Sequence, residues 1–465
     1  MAIAALMMIG TATVHGQTGG TGAGAGTDDG APDTGGVTID AENVLSTRKV
    51  VANTNALSRQ RWQHAQINVN KEIQKVSELR KVSLVRLENE VARLKAEGKS
   101  INDDIRFLAG LTRITHVFYY PEENDIVIAG PAEGYFLNGA NRVVGMETGK
   151  ATLHLEDLVA ALRAYAPGRR TAVISCSIDP TQEGLKRFQQ AQLAITRQYQ
   201  GIQRFTAQIV NHIGRTYYDA MGLQTITING VSDKTRFAQV LAEADYRMKL
   251  YGIGVEQPPV RMTTFIQAAS PAAGGRGKLQ RWFFEPNYDC VTVNQEGTAM
   301  SLDGQGVKLV AADESVNASG QRKNKKGEAN VASRRFCTSF TKQYEKVAQR
   351  ATVFGELRNL IDMSIVAAYI QKSDLYRKAN WDMATFGDEE QFPIEIYPAP
   401  KKVAPVVNAV VKQGALMTPI GGGVNIQARI ALNSDRASVD TEGKIGTVRD
   451  SITFDDLAEG QWWWD

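Results

Sequence analysis

The chain has 465 residues, of which 43% are hydrophobic and 22% are charged. This balance is typical of a globular protein, and the length allows roughly two or three packed domains. The formal net charge is only +3, whereas nucleic-acid-binding domains usually carry a concentrated basic face. Composition therefore excludes a chain that is disordered throughout, and it predicts no nucleic acid partner.

The N-terminus, MAIAALMMIGTATVHGQ, contains an apolar run that is too short to span a bilayer. Val14 and Gly16 place small residues at the positions that signal peptidase prefers, which predicts a signal peptide at residues 1–16. No Lys or Arg precedes the run, so an apolar N-terminus that is not a signal remains the alternative. We expect an exported protein, located in the periplasm or at the cell surface.

The segment at residues 17–45 is rich in Gly and Thr and has few large apolar side chains. It is predicted to be a disordered linker, because it cannot bury enough surface to offset the entropy of ordering. Residues 46–78 are predicted to form a polar lead-in with a helical tendency. No later apolar segment reaches the roughly 18 residues of a transmembrane helix, so we predict a protein that does not span the membrane.

Residues 79–270 are predicted to form an N-terminal α/β domain. Leu84, Leu87, Val91 and Leu94 recur at helical spacing, which predicts an amphipathic helix. Two apolar runs then flank residues 121–124, which predicts a β-hairpin. Later helices and strands are mixed without strict alternation.

Residues 271–391 are predicted to form a second α+β domain around a helix at residues 353–371. This helix is apolar on nearly all sides, so we expect it to be central. Residues 392–465 are predicted to be a C-terminal extension that ends in a Trp-rich tail. The predicted fold class is α+β (mixed α/β), with several helices packed on mixed sheets.

The stretch TAVISCSIDPTQEGL places Cys176 at the end of a predicted strand, before a turn and a helix. This is the layout of a nucleophile elbow. A catalytic thiolate needs a base, and His116, His154 or His212 could approach it in the fold. The glycines of an elbow are missing beside the cysteine, and buried cysteines are common in core strands. Cys176 is therefore a weak catalytic candidate, and a structural role is favoured.

The remaining cysteines, Cys290 and Cys337, could form a disulfide in an oxidising compartment, although the sequence alone leaves every pairing of the three open. The spacings of common zinc and calcium motifs are missing from the sequence. We predict no metal site and no cofactor.

Two acidic pairs could serve in general acid–base catalysis, namely Asp179 with Glu183 and Glu243 with Asp245. Asp179 is better explained as a helix cap, and Glu243 and Asp245 are expected on a solvated helix face. A hydrolase that uses an acidic pair therefore remains only an alternative.

The stretch QRWFFEPNYDC is rich in aromatic residues. Arg281, Trp282 and Tyr288 belong to residue types that favour saccharide and peptide faces. Core packing is the alternative explanation for about half of the aromatic residues here. This stretch is the first candidate for a binding surface.

The tail QWWWD contains Trp462, Trp463 and Trp464, which are costly to leave in water. The tail is expected to dock on another surface. That surface could lie within the same chain or on another subunit of a homo-oligomer, and the sequence favours neither.

Several ordered stretches resemble a single family. FLAGLTRITHVF, CSIDPTQEGL, TRFAQVLAEADYRMK, RWFFEPNYD and FGELRNLIDMSIVAAYI occur in this order. They are similar to a domain-of-unknown-function family of exported proteins from planctomycete-type bacteria, over about Leu79 to Ile370. The resemblance implies secretion and an envelope setting. It implies no catalytic residues, because the family has no assigned activity.

The leading hypothesis is an exported cell-envelope protein with a structural or binding role, which associates with itself or with a wall or matrix component. The first alternative is an exported hydrolase that uses Cys176 or an acidic pair. The second is a periplasmic module that binds a peptide or a saccharide near residues 281–288.

Overall fold

The computed structural model describes residues 36–48, 54–171, 173–202, 204–269, 278–287, 290–312, 314–316, 322–324, 330–408, 420–455 and 457–465. Helices and strands are mixed along these residues, so the predicted α+β class is confirmed. The predicted signal peptide and residues 17–35 of the predicted linker lie outside the described residues. Among the described residues, no helix is both long and apolar enough to cross a bilayer.

The strands are mostly short. In chain order they are β1 (Val37–Ile39), β2 (Val44–Thr47), β3 (Ser77–Ser83), β4 (His116–Tyr120), β5 (Asp125–Ala132), β6 (Tyr135–Leu137), β7 (Val143–Gly145), β8 (Ile174–Asp179), β9 (Gln224–Asn229), β10 (Lys278–Pro286), β11 (Val291–Val293), β12 (Ala299–Leu302), β13 (Val307–Ala311), β14 (Glu314–Val316), β15 (Arg322–Asn324), β16 (Lys402–Val403), β17 (Ile420–Ile426), β18 (Ser438–Val439) and β19 (Trp463–Trp464).

The helices range from single turns to long rods. In chain order they are α1 (Thr54–Asn68), α2 (Lys71–Gln74), α3 (Leu84–Ala96), α4 (Asp103–Arg106), α5 (Leu155–Ala164), α6 (Gln182–Gln198), α7 (Ala207–Met221), α8 (Arg236–Gly252), α9 (Phe265–Ala268), α10 (Val331–Arg350), α11 (Thr352–Lys372), α12 (Leu375–Lys378), α13 (Ala428–Ala431) and α14 (Lys444–Asp450).

The first sheet has the strand order β1-β2-β16-β9-β8-β17-β10-β14-β15, and β13 also pairs with β10. It is a mixed sheet, because β17 runs parallel to β10 and antiparallel to β8. Ile174, Cys176 and Ile178 alternate with less buried residues along β8 and face the main core, where α8 packs on the strand. The hairpin of α6 and α7 forms a separate small core with Leu279 of β10.

Glycines at residues 421–423 allow β17 to approach its neighbours closely. A Cβ atom on Gly423 would lie 1.8 Å from the Cys176 carbonyl oxygen. A Cβ atom on Gly422 would lie 2.0 Å from the Trp282 carbonyl oxygen, and the φ angle of Gly422 is +118°. Only glycine adopts this conformation readily, so the triple glycine serves strand packing.

The second sheet has the order β18-β11-β12-β4-β5-β3-β19, and β6 pairs with β7 in a separate hairpin. Val117 and Ile128 lie on one face of the second sheet and join the main core. Phe118 and Val127 lie on the other face, in a smaller core that includes Ile445 of α14. The antiparallel pair β4–β5 confirms the predicted hairpin.

The centre of the molecule contains α5, α8 and α11, which pack against one another. Every residue of α11 from Val353 to Ile370 is buried, so the predicted central helix at residues 353–371 is confirmed. The helical spacing of Leu84 and its partners is also confirmed, because these residues lie on α3.

The start of the described chain departs from the sequence prediction. The linker prediction is wrong for residues 37–45, because β1 and β2 belong to the first sheet. Val37 and Leu45 are 3% and 1% exposed, so even this polar segment buries apolar side chains in the core.

The first sheet crosses the predicted domain boundaries at residues 270 and 391. Each of the three segments that these boundaries separate contributes one of the strands β8, β10 and β17, which are neighbours in the sheet.

Candidate functional site

The side chain of Cys176 lies in the core and is 1% exposed. Burial, followed by the neighbouring Asp245 carboxylate, raises the pKa of its thiol well above the usual value. The charged groups that act most strongly on the thiol are Asp245, Lys249 and Asp179, and none of them is a histidine. Burial therefore gives Cys176 a core-packing role, and in the described part of the chain no histidine is among the charged groups that act on its thiol.

The predicted bridge between Cys290 and Cys337 is absent from the structure. Both residues are buried, but they lie on different layers. Cys290 precedes β11 of the second sheet, whereas Cys337 lies on α10, which packs on β13 beside the first sheet.

Burial of all three cysteines leads to a prediction about their reactivity. We expect dithionitrobenzoate to react with none of them rapidly in the native protein, and with all of them after unfolding in urea, because exposed thiolates react and buried thiols do not. A fast native reaction that disappears in the Cys176→Ser variant would show that Cys176 is an accessible thiolate, contrary to the structure.

The predicted aromatic binding stretch is largely a core strand. Trp282 is fully buried, its ring centroid lies 4.6 Å from that of Phe336, and its Nε1 donates to Ser333 Oγ at 3.0 Å. Arg281 is half-buried and forms an ion pair with a carboxylate on β8. Tyr288 lies outside the described residues. Trp282 is therefore a core residue and not part of a ligand surface.

The Trp tail docks within its own chain. Trp463 and Trp464 form β19, which pairs with the edge of β3. Trp462 and Trp464 are 6% and 8% exposed. Arg80 is fully buried and donates to both carboxylate oxygens of Asp465, at 2.9 and 2.8 Å, while its guanidinium lies 4.9 Å from the ring centroid of Trp463.

Three of the four acidic residues, Asp179, Glu243 and Asp245, form ion pairs with basic side chains. Asp179 accepts from Arg281 at 3.0 Å. Asp245 is fully buried and accepts from Lys249 at 2.7 Å. The expectation that Glu243 and Asp245 lie on a solvated face is wrong, because α8 is buried on all sides. Glu183 is exposed on the first turn of α6.

A cavity of about 720 Å³ lies elsewhere, between α3, the starts of α5 and α8, and a segment of the C-terminal extension. We call residues 386–397 the strap, because this segment covers one side of the cavity. Arg163 holds the strap by donating to the carbonyl oxygens of Phe386 and Phe392, both at 2.6 Å. Lys95 of α3 donates to the carbonyl oxygen of Gln391 at 2.9 Å.

The cavity lining combines apolar side chains, which we call the walls, with a group of mostly buried polar side chains, which we call the floor. Lys95, Lys99, Arg106 and Glu390 also line the cavity. The wall side chains include Ile101, Phe107, Leu137, Val143, Phe392 and Ile396. The floor contains His154, Glu156, Arg142, Arg236 and Tyr397. Ligand sites commonly combine such apolar walls with a few polar groups, and most have volumes of roughly 300–1,000 Å³.

His154 and Glu156 come together because both belong to the start of α5. His154 is the N-cap residue and makes no capping hydrogen bond with its side chain. Its Nδ1 lies 3.8 Å from Glu156 Oε1, and its ring packs edge-on against Phe107 at a centroid distance of 5.1 Å. The Tyr397 hydroxyl of the strap lies 2.9 Å from each Glu156 carboxylate oxygen and donates to this group.

An ionic network joins the floor residues Arg142 and Arg236 to buried carboxylates. Arg236 contacts Asp157 and donates to Glu356 at 2.5 Å, and Glu356 also accepts from Arg142. Burial raises the pKa of Asp157 to about 7, although Arg236 acts in the opposite direction. Asp157 is therefore easier to protonate than an exposed aspartate.

The network extends from Arg142 to the surface of α8. Arg142 also contacts Glu243, which accepts from Arg247 at 2.8 Å. Arg247 then donates to Glu256 at 2.6 Å. These residues form a chain of alternating charges. The chain holds the start of α8 against α11 and positions Arg236 on the floor of the cavity.

Sequence reasoning considered His154 only as a partner for Cys176 and missed the cavity. One available signal was Arg236 in the first turn of a helix, where acidic residues are normally favoured. Another was Glu356, which with Arg358 and Asp362 is one of three charged residues in the buried part of α11. Both residues are stabilised by charges from distant parts of the chain, which the sequence does not show.

Comparison with known proteins identifies one region of the chain. No characterised protein and no solved structure matches it significantly. Residues 176–265 match a family model described as protein of unknown function (DUF1598). This region runs from β8 through α8, so it contributes Arg236 and Glu243 but not His154, Glu156 or Tyr397. Over residues 176–265 the chain is therefore similar to a family whose function is unknown.

Proposed function

We propose that this chain is an exported protein that binds a small amphipathic molecule in the cavity beneath the strap. The observation that carries the proposal is the cavity itself, with apolar walls above a floor of buried polar and charged groups. Such a lining suits a molecule that has an apolar body and one polar end.

Export and an envelope setting are supported by the sequence of residues 1–16 and by the family resemblance. The proposed binding region is the cavity and no longer residues 281–288, because Trp282 is buried in the core. A purely structural role through the Trp tail has weaker support, because the tail already packs on β3 of its own chain.

Anilinonaphthalene sulfonate, which has an apolar ring system and an anionic group, is a suitable binding probe. We expect the native protein to bind it at one site with increased fluorescence. Ile101 is half-buried and lines the cavity, so the bulkier Ile101→Trp variant should fill the cavity and weaken binding at least about tenfold, equivalent to about 1.4 kcal/mol.

Ile202→Trp is the matched control, because Ile202 is 40% exposed and follows α6, outside the cavity lining. It should bind the probe as the native protein does. Circular dichroism shows whether each variant is folded. The proposal fails if the native protein does not bind the probe, or if a folded Ile101→Trp variant binds it with unchanged affinity.

A further inference from the structure

We propose that the cavity hydrolyses a carboxylic ester, with His154 as the general base that activates a water molecule. This inference rests on the proposed binding function, because the ester must first enter the cavity. It goes beyond that function by assigning a reaction and a substrate class to the same site.

The first observation is the arrangement of Tyr397, Glu156 and His154. The Tyr397 hydroxyl fixes the Glu156 carboxylate at 2.9 Å, and this carboxylate faces His154 Nδ1 at 3.8 Å. A proton on Nδ1 that faces the carboxylate leaves a lone pair on Nε2. His154 Nε2 is buried and has no hydrogen-bond partner among the described residues. An acid that orients a histidine is the arrangement expected beside a general base, and catalytic hydrogen bonds are often long without substrate.

The second observation is the protonation state of these groups. Burial, followed by the Arg236 charge, lowers the pKa of His154, against the opposite effects of Glu156 and Glu356. His154 is therefore neutral at neutral pH and able to accept a proton. Burial works to raise the pKa of Glu156, but His154, Arg236 and Tyr397 together lower it, so Glu156 stays ionised. Asp157 follows Glu156 in the chain, contacts Arg236 and belongs to the same ionic network.

The third observation is the positive end of α5. This helix has ten residues, and the first backbone N–H groups of a helix have no partner within the helix. The His154 side chain does not cap them. The N-terminus of a helix favours negative charge, and Arg236 Nε lies 4.0 Å from Glu156 at the same floor. In the proposal these backbone N–H groups are the donors for a developing oxyanion, because the charge of Arg236 is already matched by Asp157 and Glu356.

The proposed step balances with water as the only co-reactant. Nε2 of His154 is buried in the structure, so the step begins when substrate binding admits a water molecule to this atom. Nε2 then takes a proton from that water while the water oxygen forms a bond to the ester carbonyl carbon. The tetrahedral oxyanion then collapses, the bond between the carbonyl carbon and the alkoxy oxygen breaks, and the imidazolium returns its proton to the leaving oxygen. The products are a carboxylic acid and an alcohol, and His154 is neutral again.

The lining of the cavity specifies the class of ester. Phe107, Phe392 and Ile396 favour an apolar acyl or alcohol group. An alcohol is a better leaving group than an amine, so a neutral imidazole without a covalent nucleophile suits esters rather than peptides. The substrate class is therefore a small ester with at least one apolar side.

Hydrolysis of p-nitrophenyl butyrate by the full chain tests this proposal. We expect turnover above the buffer rate, and a loss of about 100-fold in kcat/KM for His154→Gln, which is the usual contribution of a general base. The native rate should rise with pH to a plateau, with its midpoint below 6.5, because burial and Arg236 lower the pKa of the base.

Glu156→Gln tests the positioning role of Glu156. The Glu156 charge raises the pKa of His154, so its removal should lower kcat/KM by about tenfold and move the midpoint of the pH profile to a lower pH. A merely structural role for Glu156 would reduce the rate without moving the midpoint. Cys176→Ser, which lies outside the cavity lining, should keep the native rate.

Several results would overturn the proposal. If the native protein and His154→Gln both bind anilinonaphthalene sulfonate but neither hydrolyses the ester, the catalytic inference is wrong and the binding function stands. If the native protein does not bind the probe, the proposed function has failed as well. If Ser100→Ala, a change at another cavity residue, abolishes hydrolysis, a serine nucleophile replaces the proposed water. If Cys176→Ser abolishes it, the reaction belongs to the thiol.

Discussion

Glu356→Gln is expected to lower the free energy of unfolding by about 3–5 kcal/mol. One carboxylate oxygen of Glu356 accepts from Arg142, and the other accepts from Arg236 at 2.5 Å. An amide of the same shape accepts from only one of them and turns its NH₂ group toward the other. Both guanidinium groups remain buried, at 4% and 5% exposure, and a buried charge that loses its counter-ion is costly. Urea unfolding followed by circular dichroism measures the change.

The matched control for this prediction is Glu97→Gln. Glu97 accepts from Arg93 on α3, and the two side chains are 38% and 52% exposed, so water can replace the lost interaction. We expect a loss below about 1 kcal/mol, as for other exposed ion pairs. Equal losses in the two variants would mean that the network at Glu356 is solvated, and the account of the cavity floor would be wrong.

Local patterns in the sequence predicted the helices and strands whose formation depends on residues close together in the chain. Leu84, Leu87 and Val91 identified α3 because their spacing matches one helix face. The hairpin of β4 and β5 followed from two apolar runs around a turn. The central position of α11 followed from its continuous apolar surface.

The cavity floor could not be predicted in this way, because its residues meet only in the fold. Arg142 follows β6, Arg236 begins α8 and Glu356 lies on α11. Each residue considered alone looks like an ordinary surface charge, and α8 was therefore given a solvated face. The predicted boundary at residue 391 divides the strap, which supplies Tyr397 to the site.

The contact between the Trp tail and β3 could not be predicted either, because it joins residues that are far apart in the sequence. Its Trp residues identified it as a docking segment, but the sequence did not show its receptor. Arg80 lies 385 residues from Asp465 along the chain, and the predicted end of the polar lead-in at residue 78 falls inside β3. A buried arginine at the edge of a sheet becomes meaningful only when its carboxylate partner is seen.

Trp464→Ala is expected to lower the free energy of unfolding by about 3–5 kcal/mol, which is typical for a buried tryptophan. Trp464 is 8% exposed and packs in the small core that contains Phe118 and Val127. Its ring centroid lies 5.1 Å from that of Phe454. The substitution leaves a cavity beneath the second sheet, and urea unfolding measures its cost.

Trp463→Ala is the matched control in the same strand. Trp463 is half-buried and its ring lies beside the Arg80 guanidinium, so we expect a smaller loss of about 0.5–2 kcal/mol. Because both residues dock on β3 of their own chain, neither variant should change the mass that light scattering gives for the folded protein. An oligomeric native protein and a folded, monomeric Trp464→Ala variant would instead show that the tail joins separate chains in solution.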